Sequence, residues 1–281
     1  QLAADSWQAS AYAQYYDWHM LSDPTYDYQI DQFDRRWTLG GRYQKQVLQG
    51  EKIELSMGGE VRYDRIDKVG FDHTNAGAFV ENISNNSARE ASAAAYAEAT
   101  WHPTEDLRLL TGLRADAYDF HVGLNPGAGP DTVRGNANDQ KLSPKLGGAW
   151  SLTDNVELYA NWGRGFHSND ARGAVNEVTP VPGLVGGKGH EGGVRFEVGT
   201  FNITATYWWL DLSSELIFVG DANAVEPKAG AKRRGYELVA FWKPVPWLGL
   251  DAVYTRSRAR YKETQEDPDF DAGDPQLSLL T

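Results

Sequence analysis

The segment "HSNDARG" at 167–173 brings a histidine, an amide, a carboxylate and a guanidinium together within seven residues, next to glycine. By type, His167, Asn169, Asp170 and Arg172 suit hydrogen bonding and ion pairing to a small polar ligand, because loops on a rigid scaffold carry recognition. Lys232 and Arg233 add a cationic step that would steer an anionic ligand. The plainer readings are loop packing through Asx-type turns at 167–173 and a solvated loop edge at 232–233. Catalytic and metal motifs fail in detail. "GLVGGKGHEGG" (183–193) has no Ser or Thr after Lys188 and lacks the first Gly spacing of a phosphate-binding loop. "DPDFDAGD" (267–274) sets Asp267, Asp269 and Asp271 at calcium-loop spacing, but Gly273 comes one position late and Ser278 stands where a bidentate Glu is needed. The six histidines form no H-E-x-x-H pair, and there is no G-x-S-x-G elbow. With no cysteine, thiol nucleophiles, thiolate zinc sites and disulfides are excluded. These residues point to binding and not to an enzyme, with no cofactor and no metal expected.

Binding residues need elements to hold them, and the pattern is one of strands. Val156, Leu158, Ala160 and Trp162 share one parity while Glu157, Tyr159 and Asn161 share the other. The same period of two predicts about eleven strands, at 6–18, 32–48, 52–66, 89–101, 107–122, 140–151, 156–166, 190–198, 201–219, 232–243 and 248–260. The Ala-rich run at 91–99 is read as a strand, because its alanines and Trp101 share a parity. Short turns ("LQGE", "HPTED", "LTDN", "VGT", "KPVPW") alternate with longer connections at 19–31, 67–88, 123–139, 167–189 and 220–231. Each apolar face runs four or five side chains and ends near an aromatic, which is roughly 20–25 Å of depth for a tilted strand.

Composition fits that reading. There are 29 Gly, 10 Trp and 14 Tyr, and no run nears the roughly 18 apolar residues of a spanning helix. A net charge of -12 argues against a nucleic-acid partner, which calls for a basic face. The expected fold class is all-β, an antiparallel up-and-down transmembrane barrel, with short turns on one side and long loops on the other. A soluble β-sheet binding protein and a passive porin-like channel are the alternatives. Eleven is an odd count for a barrel, and the chain opens at Gln1 without an initiator Met. Residues 1–281 are therefore expected to be the barrel portion of a longer protein.

Six arginines sit just past the outer end of the apolar face on the outward parity: Arg35, Arg65, Arg89, Arg164, Arg234 and Arg256. If Val47 pairs with Ile53, Arg35 faces Arg65 and Arg36 faces Asp64. If Trp242 pairs with Leu248, Arg234 faces Arg256. Like charges face to face destabilise a sheet, so the expectation is a collar, extended by Arg258 and Arg260, that binds lipopolysaccharide phosphates bidentately. Snorkelling arginines at a water interface are the bland reading.

"KLSPKLGGAWSLTDNVELYANWGRGFHSNDARG" resembles the mid-barrel region of TonB-dependent outer-membrane receptors, as do "RRGYELVAFWKPVPWLGLDAVYTRSRARY" and "YWWLDLSSELIFVGDA". The resemblance covers about 140–260 by motif and 1–139 by strand rhythm. It implies a 22-stranded barrel with an N-terminal plug and a TonB-engaging segment, neither of them within these residues. It also implies a Gram-negative outer membrane, lipid and lipopolysaccharide as surroundings, the TonB complex as a partner, and a scarce nutrient as ligand. A ferric siderophore is the foremost ligand class.

Overall fold

The structure, a computed structural model, describes residues 2–4, 6–23, 28–178, 181–219 and 224–262. The calcium-like segment at 267–274 lies outside them. In chain order the elements are β1 (Leu2–Ala4), β2 (Trp7–Ser22), β3 (Gln29–Gln49), β4 (Ile53–Asn75), β5 (Ala78–Thr104), β6 (Leu107–Leu124), β7 (Gly135–Thr153) and β8 (Val156–Ser168). They continue with α1 (Ala171–Ala174), β9 (Leu184–Val198), β10 (Phe201–Leu212), β11 (Ser214–Val219), β12 (Ala224–Ala229), β13 (Ala231–Val245) and β14 (Leu248–Tyr261). β1 to β10, β13 and β14 form one antiparallel sheet in chain order, apart from the β11–β12 hairpin, which pairs only with itself. The eleven expected strands are all present, and 91–99 lies inside β5. Among the described residues no helix is long and apolar enough to cross a membrane.

The expected long loops are only partly loops. β4 and β5 climb through most of 67–88 and meet at a two-residue turn, where Ala76 (φ 50°) and Gly77 (φ 79°) adopt the paired positive φ of a tight hairpin. Three register shifts between Ile66 and Thr74 interrupt the alternation, which is why this stretch does not look strand-like in sequence. The strand expected at 201–219 breaks at Ser213 into β10 and β11. The 167–189 connection contains the single helical turn α1, and β9 starts within it at Leu184.

Two expected registers are displaced by two residues. Leu39, not Trp37, faces Tyr63, and Trp242 faces Leu250. In each case a bulge beside the short turn, between Gln46 and Leu48 or between Trp242 and Val245, absorbs residues that the sequence reading gave to the turn. An even displacement keeps every side chain on its face and changes only its lateral neighbour. A further shift between Arg35 and Arg36 sets Arg35 opposite Lys68, and on its other side it faces Asp17, so it does not face Arg65. Arg234 faces Arg258, not Arg256, and Asp64 faces Thr38, not Arg36.

The outward face carries large exposed apolar side chains, among them Trp37, Leu39, Val61, Leu146, Trp150, Tyr207 and Tyr254. Its change to polar residues falls between Tyr15 and Asp17 on β2, Tyr63 and Arg65 on β4, Ala117 and Asp119 on β6, and Tyr254 and Arg256 on β14. Followed through the paired residues from β2 to β14, this boundary descends fourteen residues in ten strand-to-strand steps. At about 3.3 Å per residue and about 4.8 Å between strands, that slope is a strand tilt of about 44°. Transmembrane barrel strands tilt by about 35–45°. A flat hydrocarbon slab cutting a tilted sheet produces this steady descent, whereas a soluble sheet has no reason to show it.

Candidate functional site at the outer mouth

The inward face is a lattice of charges held by residues two apart on one strand, which alternation places side by side. Arg62 donates to both oxygens of Asp64 at 2.7 and 2.9 Å, and buried Asp64 also accepts from Thr38 Oγ1 at 2.5 Å. Arg114 donates to Asp116 at 2.9 and 3.0 Å and crosses to Glu60 at 3.1 Å. Arg36 pairs with Asp34 on its own strand, so the cross-strand pair expected with Asp64 does not form. Tyr96 stands among Arg42, Gln44 and Arg114, accepting from Arg42 Nε at 3.1 Å. Lys145 pairs with Glu98, and Arg195 pairs with Glu157 while its guanidinium lies 4.3 Å from the Tyr159 ring centre. Arg42, Glu60, Tyr96, Arg114 and Lys145 border a cavity of about 630 Å³ that extends to Arg164 and Phe166. Among the described residues no group of three or more His, Asp or Glu is placed to hold a metal ion.

Above this lattice the inward face becomes apolar. Ile66, Ala88, Phe120 and Val122 at the strand tops pack with Ala171, Val175 and Leu184, and Phe120 is completely buried. Residues 169–175 thus fold back onto the wall. Asn169 fixes them, its backbone N–H donating to Gly183 O at 2.9 Å and its Nδ2 to Pro182 O at 2.7 Å. Asp170 caps α1 by accepting from the Arg172 backbone N–H at 2.8 Å, and it holds the Arg172 guanidinium at 2.7 and 3.0 Å. Burial alone would raise the Asp170 carboxyl, but these bonds and the Arg172 charge hold it below the usual 3.8. Asp34 and Arg36 of β3 lie close enough to act electrostatically on this pair.

Of the residues picked out by type in the sequence, the structure thus brings Asn169, Asp170 and Arg172 together, Asn169 as a buried strut. His167 is exposed at the top of β8, opposite Val185. Lys232 and Arg233 top β13, where Lys232 faces Asp211 and Arg260. Of the six collar residues, Arg65 faces Arg89 directly and also bonds Asp67 at 3.1 Å. Arg164 faces Lys188 and borders the inner cavity, and Arg256 reaches Tyr236 Oη at 3.4 Å. Arg35 is half-buried, with an Nε that has no hydrogen-bond partner among the described residues.

Sequence reading missed "NISNNS" (82–87). Asn82 donates to Asp72 at 2.6 Å and accepts from Gly129 N at 2.7 Å. Asn86 donates to Val133 O at 2.6 Å, and Asn85 accepts from Asn125 at 2.8 Å. These amides pin the 125–134 loop to the tall hairpin. A run of asparagines on a strand extension, where apolar residues are not required, was the available signal.

A tilted, sheared antiparallel sheet, apolar outward and charged inward, is the wall of an outer-membrane-type β-barrel. The family model described as TonB dependent receptor-like, beta-barrel matches residues 2–278, and the chain belongs to that family. Its members are outer-membrane receptors and transporters. The ferric yersiniabactin uptake receptor FyuA from Yersinia pestis superposes with a TM-score of 0.70 at 17% identity, over 92% of this chain and 41% of that one. The copper transporter OprC gives 0.67 at 16%, over 92% and 45%. The alcaligin outer-membrane receptor FauA from Bordetella pertussis gives 0.62 at 17%, over 91% and 44%. The chain therefore spans less than half the length of these relatives, and at such identity the likeness is one of fold. No curated protein sequence matches the chain significantly.

Proposed function

We propose that residues 1–281 are the β-barrel portion of an outer-membrane receptor that binds a scarce nutrient, a ferric siderophore foremost, at its extracellular loops. Import then uses energy delivered through TonB. The observation that carries this reading is the mouth. Residues 169–175 turn back onto the inward face and present the Asp170–Arg172 pair there, beside Arg36 and Asp34. A loop built into the entrance suits capture of a specific ligand more than free diffusion. Supporting it are the family membership and relatives named as a ferric yersiniabactin uptake receptor and an alcaligin outer-membrane receptor. The full barrel would have 22 strands around a plug, in the outer membrane of a Gram-negative cell. His167, Arg172 and Arg233 are the loop residues offered to the ligand, with Asn169 and Asp170 holding Arg172 in place; Lys232 has the outward parity of β13.

The test is uptake of radio-iron from a panel of ferric siderophores in cells lacking their own receptors, with and without TonB. TonB-dependent accumulation of one complex supports the proposal. Accumulation that is equal without TonB would establish the passive porin-like channel instead.

A further inference from the structure

The corrected register of β13 against β14 assembles a charge ladder that neither strand shows alone. Lys232 faces Arg260, Arg234 faces Arg258, and Arg256 faces Tyr236 in the next rung. All five cations are exposed and share the outward parity of Tyr236 and Tyr254, whose ring centres are 6.1 Å apart. Trp209 is laterally paired with Arg234, so aromatics border the ladder below and on the β10 side. Like charges set face to face oppose strand pairing. In register beside the ladder lies Asp211, and its carboxylate is taken by Lys262. Arg234, Arg258 and Arg260 have no hydrogen bond or ion pair among the described residues. In a chain with a net charge of -12, five cations in three rungs, with Asp211 as the facing carboxylate among the described residues, is a local reversal of sign.

We propose that Lys232, Arg234, Arg256, Arg258 and Arg260 form a docking surface for the phosphate groups of an anionic glycolipid of the outer leaflet. The inference rests on the membrane reading of the sheet. A phosphate between Arg234 and Arg258 accepts from both guanidiniums and turns a repulsive rung into a bridged one. Position selects lipid over a soluble anion. The ladder is on the outward face, directly above the aromatic edge of the apolar band, where a headgroup rests while its acyl chains lie against Leu238, Ala252 and Leu250. A ligand bound for the lumen would meet the opposite face.

The test compares the protein assembled in the outer membrane with a variant carrying Lys232→Gln, Arg234→Gln, Arg258→Gln and Arg260→Gln. A second variant carries Lys at all four positions. Each is extracted in detergent and mixed with phosphatidylcholine vesicles containing bisphosphorylated lipid A or its dephosphorylated form. Recovery in the outer-membrane fraction reports separately on the membrane reading. The expected result is retention of bisphosphorylated lipid A that falls about tenfold or more in the Gln variant, persists in the Lys variant and weakens with salt. Equal retention of the two lipid forms by the unaltered protein would overturn the proposal, even if the Gln variant failed to assemble. So would undiminished retention by a correctly assembled Gln variant.

Discussion

Residues two apart on one strand form a recurring kind of ion pair. Arg62 with Asp64, Arg114 with Asp116, Arg36 with Asp34 and Arg65 with Asp67 all follow this spacing. The pattern is visible in the sequence once strands are assigned, yet reading it for cross-strand pairs led to Arg36 opposite Asp64. Asp64 is buried and accepts from both Arg62 and Thr38, so Asp64→Ala should cost about 2 kcal/mol in urea unfolding from lipid. Asp64→Asn, which keeps an acceptor, should cost less. At the mouth, the Asp170 carboxyl is held below its ordinary value of 3.8. A depressed carboxylate pKa means that the pair's contribution is complete above about pH 4 to 5 and is lost as pH falls through the lowered value. Exchange protection of backbone amides at 169–175 should therefore hold from neutral pH to that point and then drop. In Asp170→Asn the step should disappear.

Elements were legible where each strand has a lipid side and a lumen side, because that constraint forces strict alternation. They were illegible where the constraint lifts. β4 and β5 rise above the apolar band through 67–88, and with water on the outer side the sequence no longer has to alternate. The bulges near Gln46 and Trp242 were hidden for another reason, since a bulge moves a neighbour without changing a face. In the tall hairpin Gly70 is a close-approach site, where a Cβ would meet the Ser84 carbonyl oxygen at 1.9 Å. Gly70→Ala should loosen 67–88, giving about tenfold faster hydrogen exchange there. The band from Val61 to Ile53 and from Ala91 to Trp101 should exchange as before. The Asn side chains at 82, 85 and 86 tie the 125–134 loop to this hairpin, so exchange in that loop should rise with it.

At the scale of the whole molecule, the architecture inverts a soluble fold. The large apolar side chains face outward, while the buried apolar cluster around Phe120 sits at the mouth, where a loop returns to the wall. The descent of the polar boundary against the register gives this inversion a geometric signature, and that signature needed the true pairing to be seen. Which ligand the proposed receptor takes was not legible, because exposed loop side chains such as His167 are under no folding constraint. The chain has no cysteine, so spin labels can be placed one at a time at Ala13, Ala93, Leu142 and Leu238, just inside the apolar band, and at Asp17, Arg89, Gln140 and Arg234, just outside it. In lipid, collision with oxygen should dominate at the first four and collision with a water-soluble relaxant at the second four, tracing a boundary that descends across the sheet. Water exposure at all eight, or a crossover fixed at one register row, would contradict a tilted barrel wall.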